Sequence, residues 1–185
     1  GTDHLGRDIL SRLIYGSRVS MEIALLSVAI SAAIGVAVGA LAGFYGGVVD
    51  NLLMRFLDIY QSIPVLILSI AIATSLGPGV LNTILALAIS VCPQYARMMR
   101  ASIMTVRDKE YIEAATAINA SNARIILKHA IPNAFSPMIV NITMSIGSSM
   151  LTAATLSFVG LGAQPPTPEW GAMLTAAKNY IRDYP

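Results

Sequence analysis

"IYQSIPVLILSIAIATSLGPGVLNTILALAISVCPQYA", residues 59–96, is a run of 38 residues without a charged side chain. A helix crossing a bilayer core needs ~20 mostly apolar residues. This run is long enough for two such helices, and it divides at "GPG", Gly77 to Gly79, a turn signal. About 18 residues precede that tripeptide and about 17 follow it, which reads as two spans joined by a tight hairpin. Pro64 and Pro93 lie within the spans. Membrane helices tolerate proline where neighbours satisfy the freed carbonyls, so kinks are expected there.

Working outward, a second uncharged run of 39 residues extends from Ala130 to Pro168, and only Asp50 and Arg55 interrupt Ile23 to Leu57. Charged residues make up 12% of the 185-residue chain and hydrophobic ones 55%, against a charged share of ~25% in soluble domains. The pattern predicts an all-α, polytopic membrane protein with spans at about 21–44, 59–76, 80–97 and 136–160. The ~10-residue alternating segments of a barrel are missing. A net charge of +2 is too small to argue for nucleic acid, and Cys92, the one cysteine, reads as a small buried hydrophobe. The chain starts with Gly and has no signal-peptide order, which reads as a piece of a longer polypeptide, here a single transmembrane domain over 1–185.

Gly35, Gly39 and Gly43 sit at four-residue spacing in the first span, a pattern that lets another helix approach closely in lipid. Residues 1–19 are too polar to span. Leu5, Ile9, Leu13 and Ile14 fall near one face, which suits a short helix at the membrane surface. Residues 45–58 read as a short polar link. Segment 97–128 holds Arg97, Arg100, Arg107, Lys109, Arg124 and Lys128, Arg55 lies on the same side, and the hairpin at 77–82 has no basic residue. The positive-inside rule then puts 97–133 in the cytoplasm and both ends of the chain outside. The Pro/Gly-rich stretch "GAQPPTPEWG", 162–171, belongs at the outer surface, with Trp170 as an interfacial anchor. A polar segment with Lys178, Arg182 and Asp183 ends the chain.

The cytoplasmic segment 109–131 reads as two short helices. The first, about 108–118, presents Ile112, Ala115 and Ile118. Asn119 suits the left-handed residue that ends a helix, and Ser121 the N-cap of the next. The second places Ala123, Ile126, Leu127, Ala130 and Ile131 on one stripe, Arg124 and Lys128 opposite, and stops at Pro132. Such an elbow either packs on its own bundle or docks a partner, with alanines allowing close approach.

"EAATAIN…IILKHAIPNA" resembles the EAA motif of bacterial binding-protein-dependent ABC transporter permeases. Glu113, Ala114, Ala115 and Pro132 match the motif; Asn119 stands where it has Gly, His129 where it has Ile, and Ile131 where it has Leu. "GTDHLGRDILSRLIYGSRVS" and "LSFVGLGAQPPTPEWGAML" are similar to the second permease subunit of dipeptide, oligopeptide and nickel importers. The resemblance implies a type I ABC importer permease fold in a bacterial or archaeal plasma (inner) membrane, with flanking helices outside this chain. It implies a second permease subunit, an extracytoplasmic substrate-binding protein, and cytoplasmic ATPases that bind the ATP. It also implies a coupling helix at 109–131, whose contacts with the ATPase would fall on Glu113, Ala114, Ala115, Ile118, Asn119 and Ala120.

No G-x-x-x-x-G-K-[ST] pattern occurs, so the chain has no phosphate-cradling loop of its own. His4 and His129 lack metal-ligand spacing, and a transport subunit rather than an enzyme is expected. A secondary transporter or channel is the reading from another class, but such proteins mark their paths with ionisable residues, and the span interiors hold none. Peptides, nickel and other small solutes all stay open as cargo.

Overall fold

The computed structural model describes residues 1–178 and 180. Arg182 and Asp183 lie outside the described residues. The described chain is helical: α1 (Ile9–Tyr45), α2 (Gly47–Gln61), α3 (Val65–Leu76), α4 (Val80–Val106), α5 (Glu110–Ala117), α6 (Asn122–Ile125), a π-turn (Ile126–Ala130), α7 (Ile131–Ala134), α8 (Ser136–Phe158) and α9 (Trp170–Ala177). By length and composition α1 and α8 can each cross a membrane, and the broken pair α2 and α3 qualifies when taken together. The expected span at 80–97 falls in α4, whose Asn82, Gln94 and Arg97 dilute its apolar character.

Three boundaries differ from the sequence reading. The span expected at 59–76 is broken at 62–64, ahead of Val65, so α3 keeps 12 residues of it and the pair bends by 85°. Residues 9–19 are not a separate surface helix but the first turns of α1, which runs 37 residues without a break. No proline occurs between Ile9 and Tyr45, and single glycines cost a helix only about 1 kcal/mol, too little to interrupt it. Residues 47–61 form the helix α2 rather than a link. The chain enters it through Gly46 and Gly47, at φ 63° and 52°, a conformation glycine adopts without a Cβ clash.

The chain forms two compact units. The first comprises Gly1–Val28, Val65–Ser90 and Ser145–Pro185. Its core holds Ile23, Ala24, Val28, Ala73, Ile84, Leu87 and Leu156. Ser27, Ser69 and Ser90 are buried there, and their hydroxyls donate to Ala24 O, Val65 O and Ala86 O of their own helices. That local bonding removes the cost of an unmet polar group in apolar surroundings. The "GPG" stretch is a turn, with Gly77 at φ 88° and Gly79 at φ 141°. Thr83 Oγ1 donates to Gly79 O and Leu161 O, which ties that turn to the loop after α8.

The same loop is fastened to α1. Trp170 Nε1 donates to Leu13 O at 3.0 Å, and Ser20 Oγ accepts from Trp170 N. The Trp170 indole N–H thus has its hydrogen-bond partner on α1. Glu169 is 1% exposed; its carboxylate caps α9, accepting from Gly171 N and Ala172 N, and also accepts from the Ser20 hydroxyl. The sequence reading passed over Glu169, a buried acid that reads as an ordinary loop residue.

The second unit comprises Ala29–Pro64 and Val91–Met144. Its packing rests on Gly35, Gly39 and Gly43 of α1. A Cβ at Gly35 would stand 2.5 Å from Tyr95 Cβ, one at Gly43 2.8 Å from Arg100 O, and one at Gly39 would strike the Ala96 carbonyl. The α1 backbone therefore lies directly on α4, the close approach that small residues at this spacing permit. Tyr95, Ala96, Met99 and Ile103 of α4 are fully buried along this seam.

Candidate functional site

The candidate site is the elbow α5–α7, which belongs to the second unit, and α4 leads into it through a fixed end. Asp50 of α2 pairs with Arg100 through both carboxylate oxygens, and Asp58 meets Arg97 at 2.7 Å. The hydrogen bonds from Arg100 hold the Asp50 carboxyl below the usual carboxylate range, helped by the charge of Arg107. Arg107, the residue after α4, donates through Nη1 to Gly43 O at 3.2 Å and so ties the end of α4 to α1.

From there Lys109 opens α5, its carbonyl accepting from Ile112 N and Glu113 N. Glu110 and Glu113 occupy the first turn, where acidic groups complement the helix dipole. The helix closes in a Schellman motif. Ala120 N donates to Ala115 O, Asn119 N donates to Thr116 O, and Asn119 sits at φ 57°. This motif needs one left-handed residue, and Asn is the usual non-glycine choice. Asn119 can therefore stand where the EAA motif has Gly. Ser121 holds the N-cap position in extended backbone, although its hydroxyl makes no capping bond.

The second arm departs from the predicted stripe. Ile125, Ile126, Ala130 and Ala134 are buried, while Ala123 is exposed and Leu127 is 66% exposed. Ile126 and Ala130 keep the inward positions the spacing predicted, and within the π-turn at Ile126–Ala130 that joins them Leu127 turns outward. Nor does Pro132 end the helix, because α7 continues to Ala134. A proline ring clashes with the carbonyl four residues back in an α-helix, and the π-turn opens that region. The side chain of Asn133 donates to His129 O at 2.6 Å.

Of the six predicted coupling residues, Ala115 is buried inside the elbow, at 8% exposed, beneath the Schellman turn. Ala120 is half-buried. Glu113, Ala114, Ile118 and Asn119 face outward. Ile118 is 81% exposed, so it does not share the inward face with Ile112 as the sequence spacing suggested. The outward surface thus combines small and apolar positions with one carboxylate. Beside it an open groove of about 380 Å³ is lined by Arg107, Asp108, Ile112, Glu113, Thr116 and Ala117. Among the described residues no group of His, Cys, Asp and Glu could hold a metal ion.

Residues 35–181 match the family described as "Binding-protein-dependent transport system inner membrane component". The chain is 48% identical over 181 residues to the Di/tripeptide transport system permease protein DppC of Pseudomonas aeruginosa (strain UCBPP-PA14), covering 98% of this chain and 60% of that protein. It is 41% identical over 185 residues to the Dipeptide transport system permease protein DppC of Alkalihalophilus pseudofirmus (strain ATCC BAA-2126 / JCM 17055 / OF4), covering 100% of this chain and 61% of the other. With the Glutathione transport system permease protein GsiD of Escherichia coli O6:K15:H31 (strain 536 / UPEC) it shares 46% over 178 residues, 96% of this chain and 59% of the relative. The chain therefore spans about 60% of the length of these relatives. A solved chain of the MetNI methionine ABC transporter in inward-facing conformations superposes with a TM-score of 0.77 at 20% identity, covering 96% of this chain and 84% of that one, and so shares the fold. On the match over residues 35–181 and the identity to these permeases, the chain belongs to the binding-protein-dependent transport system inner membrane components.

Proposed function

We propose that this chain is a transmembrane subunit of an ATP-driven importer, that it forms part of the path for peptides, and that it is coupled to a separate ATPase through the elbow at 109–131. In this reading a second permease subunit completes the path, an extracytoplasmic binding protein delivers cargo, and the ATPase alone binds ATP. The membrane is the bacterial or archaeal plasma membrane, with the elbow on the cytoplasmic side.

The observation that carries the reading is the two-faced elbow. Its inward residues anchor it to its own chain, while Ala114 and Ile118 are exposed on the arm that carries the exposed Glu113, and Leu127 is exposed on the other arm. Exposed apolar groups clustered beside charge mark contact surfaces. The peptide assignment is supported by the names of the relatives, which are di/tripeptide, dipeptide and glutathione permeases.

The test is co-purification of the ATPase with the full-length protein, together with ATP-dependent uptake in proteoliposomes. Ala114→Trp adds bulk on the outward face and is expected to abolish both while leaving the protein in the membrane. Undiminished co-purification, or uptake that runs on an ion gradient without ATP, would overturn the proposal.

A further inference from the structure

The first unit holds a cavity of about 520 Å³ between residues 2–12 and α9. One wall is charged. Arg7 Nε lies 2.7 Å from Asp3 Oδ2, and Arg12 Nε lies 4.0 Å from the same oxygen. Asp3 Oδ1 accepts from Leu5 N and Arg7 N, both at 2.9 Å, so the backbone holds the carboxylate in place. Burial pushes the Asp3 carboxyl upward, but the hydrogen bonds from Arg7 and Leu5 outweigh it and pull it down to about 2. At neutral pH the wall therefore carries two guanidinium charges against one carboxylate, an excess of one positive charge.

Arg7 answers Asp3 at short range, whereas Arg12 is held loosely. Besides the 4.0 Å approach to Asp3, its Nη1 reaches Pro166 O at 3.5 Å, the outer limit of a hydrogen bond. A guanidinium has five N–H donors in a planar fork suited to carboxylate or phosphate. The opposite wall is apolar, formed by Ala172, Met173 and Ala176 on one side of α9. The His4 and Tyr180 rings, stacked with centroids 5.6 Å apart, also line the cavity.

We propose that this cavity binds a small organic oxyanion carrying a short apolar group, with the oxyanion on Arg12 and the apolar part against α9. A cavity of this size suits a small ligand. Two sources offer the chemistry: a soluble carboxylate, or the phosphate of a membrane lipid.

Calorimetric titration of hexanoate into the full-length transporter in phosphatidylcholine nanodiscs, with empty discs subtracted, tests the site. Hexanoate is expected to bind about ten- to hundredfold more tightly than hexanamide, the range of a charged hydrogen-bonded pair. Arg12→Gln and Met173→Glu should each weaken hexanoate by a similar factor, the first by removing the partner and the second by like-charge repulsion. If Arg12→Gln fails to assemble on gel filtration, Met173→Glu decides. Repeating the titration in discs containing phosphatidylglycerol separates the sources, since competition identifies lipid phosphate and undiminished binding a soluble carboxylate. Equal binding of acid and amide, no binding of either, or hexanoate binding indifferent to the substitutions would overturn the proposal.

Discussion

A helix that must stop and turn within two residues makes a backbone demand before it makes a chemical one, and Asn119 meets that demand. At φ 57° it closes the Schellman motif that joins the two arms of the elbow. Asn119→Gly is expected to be neutral within a few tenths of a kcal/mol, whereas Asn119→Val should cost about 1–2 kcal/mol, because a β-branched side chain is strained in left-handed backbone. Thermal unfolding of the purified protein checks both, and equal midpoints for the two variants would show that the turn is not under this constraint. The turn was legible in the sequence because the chemistry is local, with Asn before a potential N-cap and an alanine-rich arm on either side. The burial of Ala115 beside Ile112 was legible from helix spacing, but the fate of Ile118 was not. It is the C-cap residue, where the helical phase ends, and it turns outward.

Among the elements, the glycine seam of α1 was foreseen from spacing alone, since three glycines four apart leave a groove along one face whatever the partner is. The partner, α4, could not be foreseen, because its contribution is backbone carbonyl and Cβ surface that most sequences supply. Likewise hidden was the π-turn, since apolar residues at 125, 126, 127 and 130 are compatible with either winding and burial against the rest of the unit selects one. The seam predicts a contrast. Gly39→Ala should destabilise the protein by at least the ~1–3 kcal/mol typical of overpacking. Gly147→Ala in α8, where an added Cβ meets nothing within 4 Å, should be stabilising by about 0.5–1 kcal/mol. Denaturation midpoints of the two variants measure the difference, and similar midpoints would contradict the seam.

For the molecule as a whole, acid stability is where the ion pairs of the second unit become measurable. Asp50 titrates below its ordinary value in the folded state because Arg100 bonds to it. A depressed folded pKa stabilises above the unfolded value and loses that contribution as pH falls through the folded one. Stability should therefore decline below about pH 4 and fall less steeply in Asp50→Asn. Unfolding midpoints between about pH 3 and pH 6 test this, and parallel curves would mean that the pair is not formed in solution. The charges of this pair were visible in the sequence as isolated breaks in apolar runs, but their pairing across fifty residues was not.

The seam between α1 and α4 also has a genetic consequence. At Gly39 the nearest obstacle to a methyl group is the Ala96 carbonyl, and at Gly43 it is the Arg100 carbonyl. A carbonyl belongs to every residue, so no replacement on α4 can make room. A selection for recovered protein level in a Gly39→Ala strain should return true revertants at codon 39 and no compensating changes at codons 96 or 99. Such a position cannot drift together with a partner on α4.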